Sequence, residues 1–522
     1  MSGSGNGLEL GLKVLTTVTK SIANARSRRQ EEERQMAERA RQAELVRNPP
    51  TLHGSARWAT EGDVARAGLL GGPDAFDHPS ALILGAVLRD DGDAAAGHFA
   101  WDGEGHLLGV APTRSGKSTT LIVPNLLRYR GSCIVLDPKG ELYRDTAAWR
   151  ATNVGPVYRI APFSASTHTF NPLATVRTLA DARALADLMI PDDPKGVDYF
   201  KKDALAFLSA LILYVKERAP PDRRTLGEVR RASAASPDMF SDLVKAMASS
   251  RIPAVQNAAS NVLGKSKDRG LPNLRDTLNA ELAVWDDPGV IAATSGADVD
   301  FHALKDRPAT VYISIPFDKT AAFAPFLKVL LTVALEAMTQ NERIPPIPVL
   351  FVLDEFLSLG PFPKFRDAIR THAGAGVRLW FFLQNISTLE EHYPASWKAF
   401  FDASVKVFFG TDDHFTGQLV SDYLGDTTVA YQNISVSYSY SVSTGNPFER
   451  DASKSGSLSH SVAVTGRNLL TPTEVVQRLG QTLPDGTRHG FVFARGLPPA
   501  EVRLIPWFKG SRLKERAALP KE

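Results

Sequence analysis

The chain has 522 residues, 43% of them hydrophobic and 22% charged, an ordinary globular composition that at roughly 150 residues per domain suggests about two to four domains. Its 60 Lys and Arg stand against 57 Asp and Glu, so no chain-wide basic field announces a nucleic-acid binder and any basic surface must be local. A single cysteine, Cys133, excludes an internal disulfide and a cysteine-rich zinc site, and no apolar run reaches the ~18 residues of a membrane-spanning helix.

Residues 1–50 read as an amphipathic, charged extension. Leu8, Leu12, Leu15, Val18 and Ile22 recur at helical spacing, and a dense mixed-charge run from Arg26 to Arg47 follows, ended by Pro49-Pro50. Such a stretch is either a solvated helical extension or an amphipathic helix for a membrane surface or a partner. From Thr51 the chain becomes compact, and 51–175 is assigned to the first part of a nucleotide-binding domain. Thr60-Glu61-Gly62-Asp63 predicts a capped short helix, and alternating segments over 81–110 predict strands.

Gly109 to Thr120 reads GVAPTRSGKSTT, an apolar strand run followed by a phosphate-binding loop and the start of a helix. Pro112, Thr113, Arg114, Ser115, Gly116, Lys117, Ser118 and Thr119 form the nucleotide-binding turn. Backbone N–H groups there cradle the β-phosphate of ATP, Lys117 bridges the β- and γ-phosphates, and the Ser118 hydroxyl ligates Mg²⁺. Ala111 replaces the usual first glycine, which is tolerable wherever φ is negative.

Residues 132–136 predict a buried strand that encloses Cys133 and ends at Asp137-Pro138-Lys139-Gly140. Asp137 lies where open α/β sheets bind ligands, and it serves equally well as a turn-forming residue before Pro138. A third strand over 157–160 completes a β-α-β-α alternation, which means a parallel sheet with helices on both faces. Strands then vanish over 176–295. Helical patterns cover 179–189, 198–218, 226–232, 237–249, 252–263 and 274–285, and an all-α domain inserted in the α/β domain accounts for them.

The sheet resumes over 296–510, with strands at 311–315, 349–353, 379–383 and 405–409 and an apolar helix at 321–338. Ser435–Ser443 alternates Ser with Val or Tyr, which predicts a solvated hairpin within 429–464. A helix and two short strands follow over 474–508, and 511–522 reads as a basic, unstructured tail.

The apolar run 348–353 ends in Asp354 and Glu355, the second half of a hydrolytic site. Asp354 can hold Mg²⁺ through its water shell, and Glu355 can polarise the attacking water as general base. The next buried run ends in Gln384, which can sense the γ-phosphate, place that water, or simply cap the following helix. Arg370 and Arg378 are the nearby candidates for an arginine finger.

Together these residues resemble the type IV coupling proteins of conjugation and secretion systems, the TraG-like branch of hexameric DNA-pumping ATPases. The likeness rests on His53-Gly54-Ser55-Ala56-Arg57-Trp58, the loop APTRSGKST, Asp137-Pro138-Lys139-Gly140-Glu141-Leu142, Phe170-Asn171-Pro172-Leu173 and Leu353-Asp354-Glu355-Phe356. Gln384 with Leu389, Phe409-Gly410-Thr411, Val420-Ser421-Asp422-Tyr423-Leu424-Gly425 and Leu469-Leu470-Thr471-Pro472 extend it in the same order.

The resemblance implies a RecA-like P-loop domain with an inserted all-α domain and a homohexameric ring with ATP at its interfaces. It also implies a central passage for single-stranded DNA linked to a relaxase, or for protein effectors, docked at inner-membrane secretion-channel components. Such relatives usually begin with transmembrane helices. None is present here, which leaves either a soluble variant recruited by a separate membrane protein, with the stripe from Leu8 to Ile22 as one means of recruitment, or a form whose true start lies upstream. The expected location is cytoplasmic and peripheral to the inner membrane through partners. Two further readings stand beside the ring motor. One is a substrate receptor whose ATP binding sets its oligomeric state, and the other is a chromosome-type DNA translocase.

Overall fold

In the computed structural model the described residues are 6–72, 76–89, 95–190, 199–265, 269–443 and 451–517. They form two compact units, one of Trp58–Gly417 with Thr473–Glu522 and the other of Met1–Arg57 with Gln418–Pro472.

The larger unit is built on one twelve-stranded sheet. Its strands are β1 (Leu70–Gly71), β2 (Leu82–Leu88), β3 (Ala95–Trp101), β4 (Leu107–Val110), β5 (Cys133–Leu136), β6 (Val157–Ile160), β7 (Thr310–Ile313), β8 (Val349–Leu353), β9 (Val377–Leu383) and β10 (Val405–Phe409). The smaller unit holds β11 (Asp426–Ser443) and β12 (Asp451–Asn468), after which β13 (Arg488–Ala494) and β14 (Ala500–Leu504) return to the large sheet. Its order is β1-β3-β2-β14-β13-β10-β4-β9-β8-β5-β7-β6.

From β10 to β6 every neighbouring pair is parallel, and from β1 to β10 every pair is antiparallel. Sequence pattern explains the division. Every residue of β4, β5, β7, β8 and β9 is buried, as strands covered on both faces require. By contrast β2 and β14 alternate buried with half-buried positions, the mark of a sheet with one wetter face.

Among the described residues no strand lies between β6 and β7. Helices at Leu179–Met189, Tyr199–Arg218, Leu226–Ser233, Pro237–Ala248, Pro253–Leu263 and Gly270–Glu281 fill that stretch. Their starts follow from local chemistry, since Thr178, Thr225 and Ser236 each accept a backbone N–H at the N-cap. The helix Tyr199–Arg218 supplies the centre, burying Phe207, Leu208, Leu211 and Ile212. This helical stretch belongs to the same compact unit as the sheet.

The smaller unit is a ribbon with eighteen registered pairs between β11 and β12, plus the helix Asn6–Arg47. The predicted hairpin is therefore a long two-stranded ribbon, and residues 435–438, which point alternately to its two faces, are all exposed. His53 N–H donates to Thr428 Oγ1 at 3.0 Å, and Ala56 N–H to the Asp426 carbonyl at 2.9 Å. A Cβ on Gly54 would lie 2.1 Å from that carbonyl, so glycine is required by close approach. Val18 and Ile22 of the extension are half-exposed, and the side chains of Leu8, Leu12 and Leu15 lie outside the described residues. Among the described residues no helix is long and apolar enough to cross a membrane.

One expectation fails. Residues 511–517 are not an unstructured tail but a helix, Ser511–Ala517, with Leu513 buried in the core of the large unit. Arg512 and Arg516 both pair with Asp77, at 2.5 and 3.0 Å, and both guanidinium groups lie over the Phe76 ring. The basic residues that suggested a solvated end are instead its attachment. Residues 518–522 lie outside the described set.

Candidate active site

Topology brings the predicted site together. β9 separates β4 from β8, so the loop after β4, Gln384 after β9 and Asp354-Glu355 after β8 leave three adjacent parallel strands at the same edge. Ala111 N–H donates to the Leu383 carbonyl at 2.9 Å, which sets loop and glutamine at one level.

The loop is held by its own contacts. Arg114 and Gly116 take positive φ values of 62° and 96°. Ser115 Oγ donates to the Pro112 carbonyl at 2.6 Å, and the hydroxyls of Thr119 and Thr120 donate to the Gly116 carbonyl. Ala111 has no positive φ and is fully buried, so the missing glycine costs nothing here. The chain then enters a π-turn, Ser118–Ile122, and a short α-helix, Val123–Leu126. Its last carbonyls are taken up from afar: Arg150 donates to Leu126 O at 3.0 Å, and Arg516 to Leu127 O at 2.9 Å.

Lys117 is buried and folds back on the loop, donating from Nζ to Ala111 O at 2.9 Å and Pro112 O at 3.4 Å. Burial pushes its pKa down, opposed by the charges of Asp354 and Glu355. These two acids are only 8% and 9% exposed. Burial pushes Asp354 up to about 6, against the pull of Lys117 and with a further push from Glu355. Glu355 itself sits in the left-handed region at φ 52°, a strained position for a side-chain-bearing residue and one that recurs at functional sites. Gln384 Nε2 stands 3.5 Å from Glu355 Oε1.

Two oxygens fit a magnesium ion. Asp354 Oδ1 is buried without a hydrogen-bond partner among the described residues, and the Ser118 hydroxyl bonds to none of them. Both are the hard oxygen donors that Mg²⁺ takes, and Asp354 carries the charge.

Asp137 is settled differently. Its Oδ2 accepts the Tyr143 N–H at 2.8 Å, so the carboxylate secures the start of helix Glu141–Asn153. Asn385 caps the helix Ile386–His392 by accepting the Thr388 N–H, which leaves the Gln384 amide to the site. Arg378 is buried in β9, donating to Ser80 O at 2.5 Å and Asp102 at 2.8 Å, and is committed to structure. Arg370 is exposed near the end of helix Pro363–Thr371, before β9 begins, and the structure does not bring it to its own chain's loop. Gly410 was visible only as part of a motif. At φ 68° it passes so close to the loop that a Cβ there would lie 2.5 Å from Ser115 Cβ.

A phosphate loop, a buried acidic pair two strands away and an amide between them, on a mainly parallel sheet, define a RecA-like P-loop nucleotide-binding fold. Residues 57–521 match the family described as "Type IV secretory system Conjugative DNA transfer", and the chain belongs to that family, which includes the type IV coupling proteins. Among curated relatives, "Protein VirD4" of Rhizobium rhizogenes is 28% identical over 481 residues, covering 88% of this chain and 66% of that protein. "Conjugal transfer protein TraG" of Escherichia coli is 27% identical over 515 residues, covering 90% and 78%. The chain thus spans about two thirds of the VirD4 length it matches.

Among solved structures, the plasmid coupling protein TrwB in complex with the ATP analogue ADPNP superposes with a TM-score of 0.58 at 18% identity, over 88% of this chain and 96% of that one. TrwB in complex with ADP and Mg²⁺ gives 0.53 at 19% identity, over 77% and 85%. At such identities the likeness establishes the fold.

Proposed function

We propose that this chain is an ATP-hydrolysing coupling protein that moves DNA, or DNA-linked or effector proteins, into a type IV secretion channel. The convergence of Lys117, Asp354, Glu355 and Gln384 at one sheet edge carries the reading. Lys117 leaves the carbonyls of Ala111 and Pro112 for the β- and γ-phosphates of ATP, exchanging dipoles for full charges. Ser118 and Asp354 would hold Mg²⁺, which when bound would offset the negative charge of the phosphates. Glu355 takes a proton from the water that attacks the γ-phosphorus, and ADP leaves on the loop. Gln384, beside Glu355, orients that water.

The family's description and the chain's likeness to the conjugal transfer protein TraG support the role in conjugative transfer, and the nucleotides bound in the TrwB structures support ATP and Mg²⁺ as ligands. The working form is a homohexamer engaging single-stranded DNA, a relaxase or effectors, and inner-membrane channel components. Lys117→Ala is expected to lower steady-state ATP hydrolysis at least about 100-fold and to abolish transfer of a mobilisable plasmid. Glu355→Gln should lose hydrolysis while retaining ATP binding. Normal transfer by the Lys117 variant would sink the motor. Hydrolysis should also rise with single-stranded DNA, whereas a DNA-indifferent ATPase that binds effectors would be a receptor.

A further inference from the structure

We propose that Lys139 is a second phosphate-reading cation of this site, approaching the γ-phosphate of a nucleoside triphosphate from the side opposite Lys117. This rests on the ATP site described above.

β5 runs parallel to β8 with Leu136 opposite Leu353, so Asp137-Pro138-Lys139 and Asp354-Glu355 emerge side by side at the same level. The turn carrying Lys139 is fixed at both ends. Asp137 is buried with its carboxylate on the Tyr143 N–H, and its carbonyl accepts the Gly140 N–H at 3.2 Å. Pro138 restricts the backbone between them, and Gly140 supplies φ 68° before the helix Glu141–Asn153 begins. Four residues thus hold one lysine at a set position, an arrangement that a freely solvated surface lysine does not need.

The lysine itself is exposed and makes no hydrogen bond or ion pair with any described residue, although Glu141 is two positions away. Its charge bears on both halves of the site, acting on the buried Asp354 and on Lys117. The span is suitable. Three strand spacings of ~4.8 Å separate β4 from β5, about 14 Å in all. A triphosphate seated on the loop extends across that gap toward Asp354, and the four-carbon stem of Lys139 reaches back from the other side. Asp354 Oδ1, buried and without a partner, marks the same gap as built for a ligand. A diphosphate ends short of it, so Lys139 distinguishes ATP from ADP.

Equilibrium binding of a fluorescent non-hydrolysable ATP analogue and of fluorescent ADP to the full chain, with Mg²⁺, tests this. Lys139→Ala is expected to weaken the triphosphate about tenfold, as loss of one charge-assisted contact does, and to leave ADP within about twofold. Lys139→Arg should keep most of the discrimination. Unchanged triphosphate affinity in Lys139→Ala would overturn the assignment, as would equal loss of both nucleotides together with a lower Tm, the result of a merely structural turn. Lys117→Ala, measured alongside, separates the two readings. If it binds both nucleotides as the parent does, the loop is not the nucleotide site and the reading beneath this one falls.

Discussion

At Asp354 stability and function oppose each other. The carboxyl is held up to about 6 by burial and by Glu355, with Lys117 offsetting only part of the cost. Because the folded value lies above the unfolded one, the folded chain holds this proton more tightly between the ordinary carboxylate range and about pH 6. Stability therefore falls as pH rises through that window, and the cost is fully present above it. A shift of that size corresponds to on the order of 2–3 kcal/mol. Asp354→Asn should stabilise the nucleotide-free chain by about 1–3 kcal/mol at pH 8, and by little near pH 4. It should also lose Mg²⁺-dependent ATP binding. Urea unfolding at the two pH values checks this, and an equal effect at both would contradict it.

At the scale of elements, the short helix after the loop depends on distant partners. Its C-terminal carbonyls are held by Arg150, from a helix that follows β5, and by Arg516, from the last helix of the described chain. Arg516 also lies over Trp149, and Leu513 joins the core. Leu513→Ala is expected to cost about 2–4 kcal/mol in denaturant unfolding. Removing 511–522 should cost at least as much and also weaken nucleotide binding, because the loop's helix loses a cap. A truncated chain with unchanged unfolding and affinity would show the helix to be dispensable.

None of this was legible in the sequence, and the reason is range. The phosphate loop, the acidic pair and Gln384 announce themselves because each motif is a local strand-to-turn pattern, and fully apolar runs mark the covered strands. The seven residues Ser511–Ala517 are too short for periodicity to count, and their partner Asp77 lies more than 400 positions away. The antiparallel flank of the sheet is hidden likewise, since β14 joins β2 across most of the chain. The left-handed backbone of Glu355 is hidden for another reason: a glutamate is not a residue type that signals positive φ.

At the scale of the whole molecule, the two candidate arginines part ways. Arg378 is buried and committed to Asp102 and Ser80. Arg370 is exposed, with no partner among the described residues, but it precedes β9, whereas Gln384 follows it. The seven residues of β9 span roughly 20 Å. Arg370 therefore stands at the opposite edge of the sheet from its own loop, and any role in hydrolysis must be toward the loop of another copy. A head-to-tail ring supplies that geometry, because each copy then offers one edge to the site of its neighbour. Arg370→Ala should on this account lower hydrolysis by about 10³-fold or more, as loss of an arginine finger does, while ATP binding persists. Lys117→Ala and Arg370→Ala should each be inactive alone yet complement on mixing. A randomly assembled equal mixture pairs an intact lysine with an intact neighbouring arginine at about a quarter of its interfaces, which sets the recovery expected if sites act independently. Co-assembled subunits that recover nothing would remove Arg370 from the site.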